Sequence, residues 1–284
     1  MVIALAVGLL LTGVPTRAQV DYYAPDNVRS FAEYLLAEGD YLRAAGEFER
    51  YYVMVQNRAK GDSILYQIAR CYTLAGRPNK ALTYYQTIID RYPGGGFIDQ
   101  AVLGAGWSYF QRGAYRRSLQ TVADYPVQQK ESRVPITHLM ALDYLHLKQW
   151  TPALDILTPR NTSADTLGSS LAALARRGLE LPYKSRIVAG MLSAVVPGSG
   201  RMYAGRFTDG LYSLLVVGTT GWQAYEGFHD DGVRSTRGWI YGAVCGFFYL
   251  GNVYGSVVAV KIHNDRLELN LLRDADDLVE KLIP

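Results

Sequence analysis

Between residues 187 and 260 the chain stops reading like a soluble protein. These 74 residues hold 14 of the chain's 28 glycines and only eight Asp, Glu, Lys or Arg. Residues 238–260 run for 23 positions without a charge, and a helix needs about 20 apolar residues to cross a bilayer core about 30 Å thick. Two shorter apolar pieces precede this one. Residues 187–200 are uncharged but interrupted by Pro197-Gly198, and residues 210–225 lie between Asp209 and Glu226. The link 229–237 is short and charged, so the reading is a transmembrane helical hairpin with spans at about 207–228 and 238–260. Residues 187–200 form an interfacial or re-entrant segment, or in the rival arrangement a third span. Gly238, Gly242 and Gly246, then Gly251 and Gly255, repeat every four residues with one offset, a small-xxx-small spacing that lets helix backbones approach closely in lipid, against the partner helix or another protomer. Asn252 is the strongly polar side chain inside that span and needs an interhelical partner.

The preceding part has a different grammar, an internal repeat. Gly39, Gly76 and Gly113 are 37 residues apart, as are Ala32, Ala69 and Gly106, and Leu35, Tyr72 and Tyr109. Ala44, Ala81 and Ser118 keep the step, and so do Phe48, Tyr85 and Val122. A fourth copy, offset by two, carries Ala141, Tyr144, Trp150, Ala153 and Leu157. Each unit reads as two short helices joined by a glycine or polar turn. The small residues sit at the contact and an aromatic fills the space beside them. One pair cannot bury its apolar face alone, so neighbours stack. Tyr92-Pro93-Gly94 and Tyr125-Pro126 end the second helices of their units.

These residues resemble the tetratricopeptide repeat, most closely at 65–76 (LYQIARCYTLAG) followed by 81–93 (ALTYYQTIIDRYP). The long spacing and Tyr-Pro ending are similar to repeats of bacterial envelope proteins. The resemblance spans 27–158 and implies a concave surface that binds peptides or partner proteins. Residues 167–181 then read as a capping helix, giving a repeat domain over 27–182. A second resemblance lies at Pro197, Gly198, Gly200, Tyr203, Gly205 and Gly210. This PGxGxxYxGxxxxG pattern resembles a small two-helix membrane domain of bacterial proteins, over roughly 186–264, with Arg201 where many members carry Gln. It implies a membrane domain and no known activity. The fold class is therefore all-α, a tetratricopeptide-like α-solenoid followed by a glycine-rich transmembrane hairpin and an amphipathic tail at 265–284.

Net charge is +3, too small to argue for nucleic acid. Between residues 176 and 206 lie Arg176, Arg177, Lys184, Arg186, Arg201 and Arg206 against the single acid Glu180, so anionic headgroups are the expected counter-charge. Residues 2–14 are apolar, Pro15 follows, and Thr16-Arg17-Ala18 offers small residues for cleavage, the pattern of a secretory signal over 1–18. Cys71 and Cys245 fall in different modules, and no disulfide is expected. The four histidines share no metal spacing. No metalloprotease, nucleophile-elbow, phosphate-loop or paired-cysteine motif occurs, so no catalytic residue, cofactor or metal is assigned. The expectation is a non-enzymatic scaffold of the bacterial inner membrane. Its repeats would be exported to the periplasm to hold protein partners, and its glycine helices would contact lipid or a second copy of the chain. The alternative is an oligomeric channel or transporter subunit. The charges around the spans complicate the orientation, because the positive-inside rule favours the opposite side for the repeats.

Overall fold

The computed structural model describes residues 21, 23–55, 61–157 and 165–279. The expected signal segment 1–18 lies outside the described residues. The chain divides into two compact units, residues 1–132 and 133–284. Among the described residues no strand occurs.

The first unit is a run of helical pairs: α1 (Pro25–Ala37) with α2 (Tyr41–Met54), α3 (Gly61–Leu74) with α4 (Pro78–Arg91), and α5 (Ile98–Gln111) with α6 (Tyr115–Ala123). The turn inside each pair explains the 37-residue step. Gly39, Gly76 and Gly113 have φ of +81°, +66° and +69°, a region where a Cβ is penalised. Behind each glycine the chain closes the same pair of bonds. The Gly39 N–H donates to the Leu36 carbonyl at 3.2 Å and the Asp40 N–H to the Leu35 carbonyl at 2.9 Å. Gly76 and Arg77 donate to Thr73 and Tyr72 at 3.0 and 2.8 Å, and Gly113 and Ala114 to Phe110 and Tyr109 at 2.8 and 3.0 Å. This is the Schellman closure, which satisfies the last carbonyls of a helix.

Ala32, Ala44, Ala69 and Ala81 are fully buried where the helices touch, and Gly106 is buried on α5. One continuous core links Ala32 and Leu35 through Ile68 and Ile88 to Ala101 and Ala105. The tyrosines furnish much of it. Tyr72 stacks on Tyr84 at 5.7 Å, and both hydroxyls donate to the Glu49 carboxylate at 2.7 Å. Burial, reinforced by that hydrogen bond, pushes the Tyr72 hydroxyl up to about 12. Asp99, fully buried, accepts the Gln128 and Gln129 N–H groups at 3.1 and 2.6 Å, which fixes the chain leaving α6.

Cys71 lies fully buried in this core, and burial pushes its thiol from 9.0 up to about 11 despite the opposing pull of Arg70. A two-unit rise lowers the thiolate fraction at pH 8 about 100-fold. Alkylation of Cys71 by iodoacetamide at pH 8, followed by peptide mass spectrometry, is therefore expected to be at least about 100-fold slower in the folded protein than in denaturant, since burial also blocks access. Equal rates in the two states would mean that the α3–α4 core opens freely.

The second unit contains α7 (Lys130–His146, from residue 133), α8 (Trp150–Leu157), α9 (Thr166–Leu179), α10 (Arg186–Val195), α11 (Ser199–Tyr203), α12 (Phe207–Asp231) and α13 (Thr236–Val279). Ala141 on α7 and Ala153 on α8 are fully buried. The turn between these helices repeats the Schellman closure without glycine. Lys148, 35 residues after Gly113, takes φ +59°, and Lys148 and Gln149 donate to Leu145 and Tyr144 at 2.9 Å each. Helix α9 stands where a capping helix was expected. Its Asp165 N-cap accepts from Gly168 N–H at 2.9 Å and pairs with His138 Nε2 at 2.7 Å.

Composition changes at about 182–186, but the compact units divide inside α7, because the far end of α13 packs back on α9. The residues expected to form a separate tail from 265 continue α13 without a break to Val279. No glycine or proline lies between Lys261 and Val279 to stop the helix. Leu271 and Ala275 bury their side chains, Arg177 pairs with Asp274 at 2.8 Å, His146 with Asp276 at 3.1 Å, and Lys148 with Glu268. Leu282, expected on the same apolar face, lies outside the described residues.

Candidate functional site: a glycine turn clamped to the long apolar helix

Helix α10 begins at Ser185, whose hydroxyl accepts the Val188 N–H at 3.3 Å, and ends before Pro197. Val196 takes the extended conformation (φ −128°, ψ 111°) that a following proline imposes. Gly198 then adopts φ +89° and α11 starts. The turn takes the i+4 donors from the Ser193 and Ala194 carbonyls of α10. Pro197 has no N–H to give Ser193, and the Gly198 N–H points away from Ala194. Helix α13 supplies substitutes. The Asn252 Nδ2 donates to the Ser193 carbonyl at 3.3 Å, and the Tyr249 hydroxyl to the Ala194 carbonyl at 2.7 Å. The Gly198 N–H donates to Asn252 Oδ1 at 3.0 Å. The Ser193 hydroxyl accepts the Gly200 N–H at 3.0 Å and meets the Ser256 hydroxyl at 2.6 Å.

The glycines of the turn are there for space. A Cβ on Gly198 would overlap the Gly210 carbonyl oxygen, one on Gly200 the Ala189 carbonyl oxygen, and one on Gly210 would come within 2.6 Å of the Gly198 oxygen. Gly205 differs, for its φ of +87° ends α11 by the same closure seen in the repeats, with open space around it. Tyr203 braces the entrance, its hydroxyl accepting the Ser185 N–H at 3.2 Å and its ring lying under the Lys184 ammonium at 5.6 Å. Lys184 and Asn264 exchange bonds in both directions, at 2.9 and 3.0 Å.

The α13 glycines divide by environment. Gly255 lies under the Arg201 guanidinium, and a Cβ on Gly242 would make ordinary contact with the Phe228 ring at 3.6 Å. A Cβ on Gly246 or Gly251 would meet nothing within 4 Å, so their spacing serves no close approach among the described residues. The close approach of α12 to α13 occurs instead at Gly227 and Gly238, where a Cβ on the first would stand 2.6 Å from the second's nitrogen. That pair lies at the hairpin end, where Gly238 is the first glycine of the small-xxx-small run and Gly227 lies outside it.

Polarity in this region is inverted. Ser193, Ser213, Asn252 and Ser256 are buried, while Ile187, Met191, Val195, Leu215, Phe247 and Leu250 are more than half exposed. Among the described residues one helix, α13, is long and apolar enough to cross a membrane by length and composition, and only 22% of its apolar window is buried within the structure. At the hairpin end, Trp222 donates to Glu226 at 2.9 Å, Trp239 to the Val233 carbonyl at 3.0 Å, and Arg237 pairs with Glu226 at 3.1 Å. At the other end Arg206 pairs with Asp209. Asp209 and Glu226 thus sit near the two ends of α12, each with a cation.

The repeat unit offers a second surface. Tyr109, Arg117, Gln120, Thr121, Asp124 and Tyr125 line a shallow cavity of about 410 Å³ on α5 and α6. On α1 the exposed Phe31 and Tyr34 rings stack at 6.4 Å. Among the described residues no cluster of three or more His, Cys, Asp or Glu could hold a metal ion.

No curated protein and no solved structure matches this chain. Residues 63–95, which take in the α3–α4 pair from Ser63 and the turn after it, match the tetratricopeptide repeat family.

Proposed function

We propose that the chain is a non-enzymatic, membrane-anchored scaffold of the bacterial envelope, its helical repeats exported and used to bind protein partners. Tetratricopeptide repeats generally mediate protein–protein contact, which supports the binding role. The single observation that carries the membrane anchor is the inverted polarity of α10–α13. In water, burying hydroxyl and amide groups while exposing Leu, Ile and Phe would forgo the hydrophobic gain of about 25 cal/mol per Å². In a bilayer it is the favoured arrangement, because apolar surface meets lipid and every polar group must pair inside the protein.

In this reading α12 and residues 238–260 of α13 cross the bilayer. Helix α10 dips in beside α13 and turns at Pro197-Gly198, where irregular backbone is tolerated because protein groups satisfy it. The contacts support that depth. Lys184 pairs with Asn264, Ser193 with Ser256 and Gly198 with Asn252, so α10 runs antiparallel to α13 and turns eight residues inside Val260, about 12 Å deep. The C-terminal half of α13 then shares its side of the membrane with α9 and the repeats. The apolar run 2–14, read as an export signal, supports an outside location for that side, and long domains are translocated largely regardless of flanking basic residues.

A dual reporter, alkaline phosphatase for outside and a fluorescent protein for inside, fused after Arg186, at Gly232 and at the C-terminus, should read outside, inside, outside. Opposite signals after Arg186 and at the C-terminus would rule out the two-span arrangement. Inside, outside, inside would keep the hairpin but move the repeats and their partners to the cytoplasm.

A further inference from the structure

We infer that the cleft between α12 and α13 below Arg201 is a binding site for an anionic phospholipid, one whose headgroup carries no cation to compete for its phosphate. The inference rests on the membrane reading above and adds a ligand to it. The cleft encloses about 250 Å³ and is half open to the outside. At one end stand Arg201 and Tyr212, and at the other Val216, Phe247 and Phe248. Gly251 lines the wall, and the absence of a side chain there leaves the cleft unfilled.

Arg201 is what gives this cleft a preference in charge. Its neighbouring cations are engaged, Arg206 by Asp209 and Lys184 by the Tyr203 ring. Among the described residues no carboxylate lies within ion-pair distance of Arg201, and its Nε is buried without a hydrogen-bond partner. The guanidinium lies against Gly255, where a Cβ would overlap its Nη2 and push it aside. Gly255 lies five residues inside Val260, about 7.5 Å along the helix. A cation at that depth, with donors unused, calls for an anion that arrives with the lipid. A phosphate accepts a guanidinium in bidentate geometry. The acyl chain attached to it would run away from Arg201 past Val216 to the two phenylalanines, along the exposed apolar wall. Anion and chain are therefore matched by one end and one wall of the same cleft.

The test uses the full-length protein in nanodiscs of equal phosphatidylglycerol and phosphatidylcholine, with retained lipid counted by native mass spectrometry after release. Wild type should retain phosphatidylglycerol over phosphatidylcholine by at least about tenfold, because the choline ammonium competes with Arg201 for the phosphate charge and phosphatidylglycerol has no such cation. Arg201→Gln should bring the two to parity, and Arg201→Lys should keep part of the preference. Gly251→Leu, which has room for its side chain, should lose the retained lipid with the charge still in place. Arg206→Gln should change nothing. Parity in wild type, or an unchanged preference in Arg201→Gln, would overturn the site. Full displacement of the lipid by inorganic phosphate alone would also overturn it, since the ligand would then be a soluble anion. If Arg201→Gln fails to fold, Arg201→Lys and Gly251→Leu still decide. Extraction with alkaline carbonate separates the two levels. Protein released from membranes would refute the membrane reading itself, whereas protein that stays embedded but shows no lipid preference would refute only the site.

Discussion

Replacing Gly198 with alanine should cost the 133–284 unit about 3–5 kcal/mol, whereas the same change at Gly205 should cost only about 1–2 kcal/mol. Both residues hold left-handed backbone, with φ of +89° and +87°, so both substitutions carry the same conformational penalty. They differ in what the new methyl group meets. At Gly205 it meets nothing within 4 Å, while at Gly198 it would coincide with the Gly210 carbonyl oxygen. That oxygen belongs to the first turn of α12, so the clash is relieved only by moving α12 or unwinding the turn. The comparison isolates close packing from backbone strain. It can be read by thermal unfolding in detergent with a thiol-reactive dye, in a Cys71→Ala background where Cys245 alone reports. For a domain of this size about 2–4 °C is lost per kcal/mol, so Gly198→Ala should melt about 10 °C below wild type and well below Gly205→Ala. Equal shifts for the two variants would show that the turn does not pack against α12 as described.

The same comparison shows what a sequence can and cannot disclose. A 37-residue step carrying glycine marks positions that need left-handed backbone, and Gly39, Gly76 and Gly113 occupy it. The fourth copy hides the signal because Lys148 stands at that position, although extending the 35-residue offset from Gly113 points to it. Spacing of four along α13 says that one helix face is smooth, but not what lies against it. Gly246 and Gly251 face open space, while the close approaches join Gly198 to Gly210 and Gly227 to Gly238, pairs set by the turn and the hairpin. The loss of apolar character at Lys261 marked the end of the bilayer-like stretch. It did not mark the end of the helix, since charged residues such as Arg266, Glu268 and Arg273 are good helix formers. In the sequence Arg201 is one of a group of bases and stands where many members of the resembled membrane domain carry Gln, which does not say what it does. Only the fold separates it from Arg206 and Lys184, by giving those two partners and leaving its Nε without one.

Asn252→Leu should destabilise the same unit by about 2–5 kcal/mol, against about 1 kcal/mol for Tyr249→Phe. Interhelical hydrogen bonds in lipid average only about 0.6 kcal/mol, because polar groups in the unfolded state within the membrane also find partners. Asn252 is a different case. Its two ends bond the Gly198 N–H and the Ser193 carbonyl, backbone groups that Pro197 has cut out of the α10 ladder and that have no local substitute. Each buried orphan costs about 1–3 kcal/mol. Leucine keeps the branched shape of asparagine while removing its donor and acceptor, and its extra volume adds a packing cost at this buried position to that of the missing bonds. Tyr249 repairs one carbonyl, that of Ala194, from a half-buried position, and phenylalanine leaves that single acceptor unpaired. The two variants can be ranked by the same Cys245 unfolding assay. If Asn252→Leu proves as stable as wild type, the asparagine would not be what holds the re-entrant turn, and the depth assigned to Pro197-Gly198 in the bilayer would lose its main support. If its loss exceeds that of Tyr249→Phe in detergent and in lipid alike, the turn is fastened to α13 chiefly through this one side chain. The short, irregular α10–α11 segment then holds its shape only while α13 stands beside it.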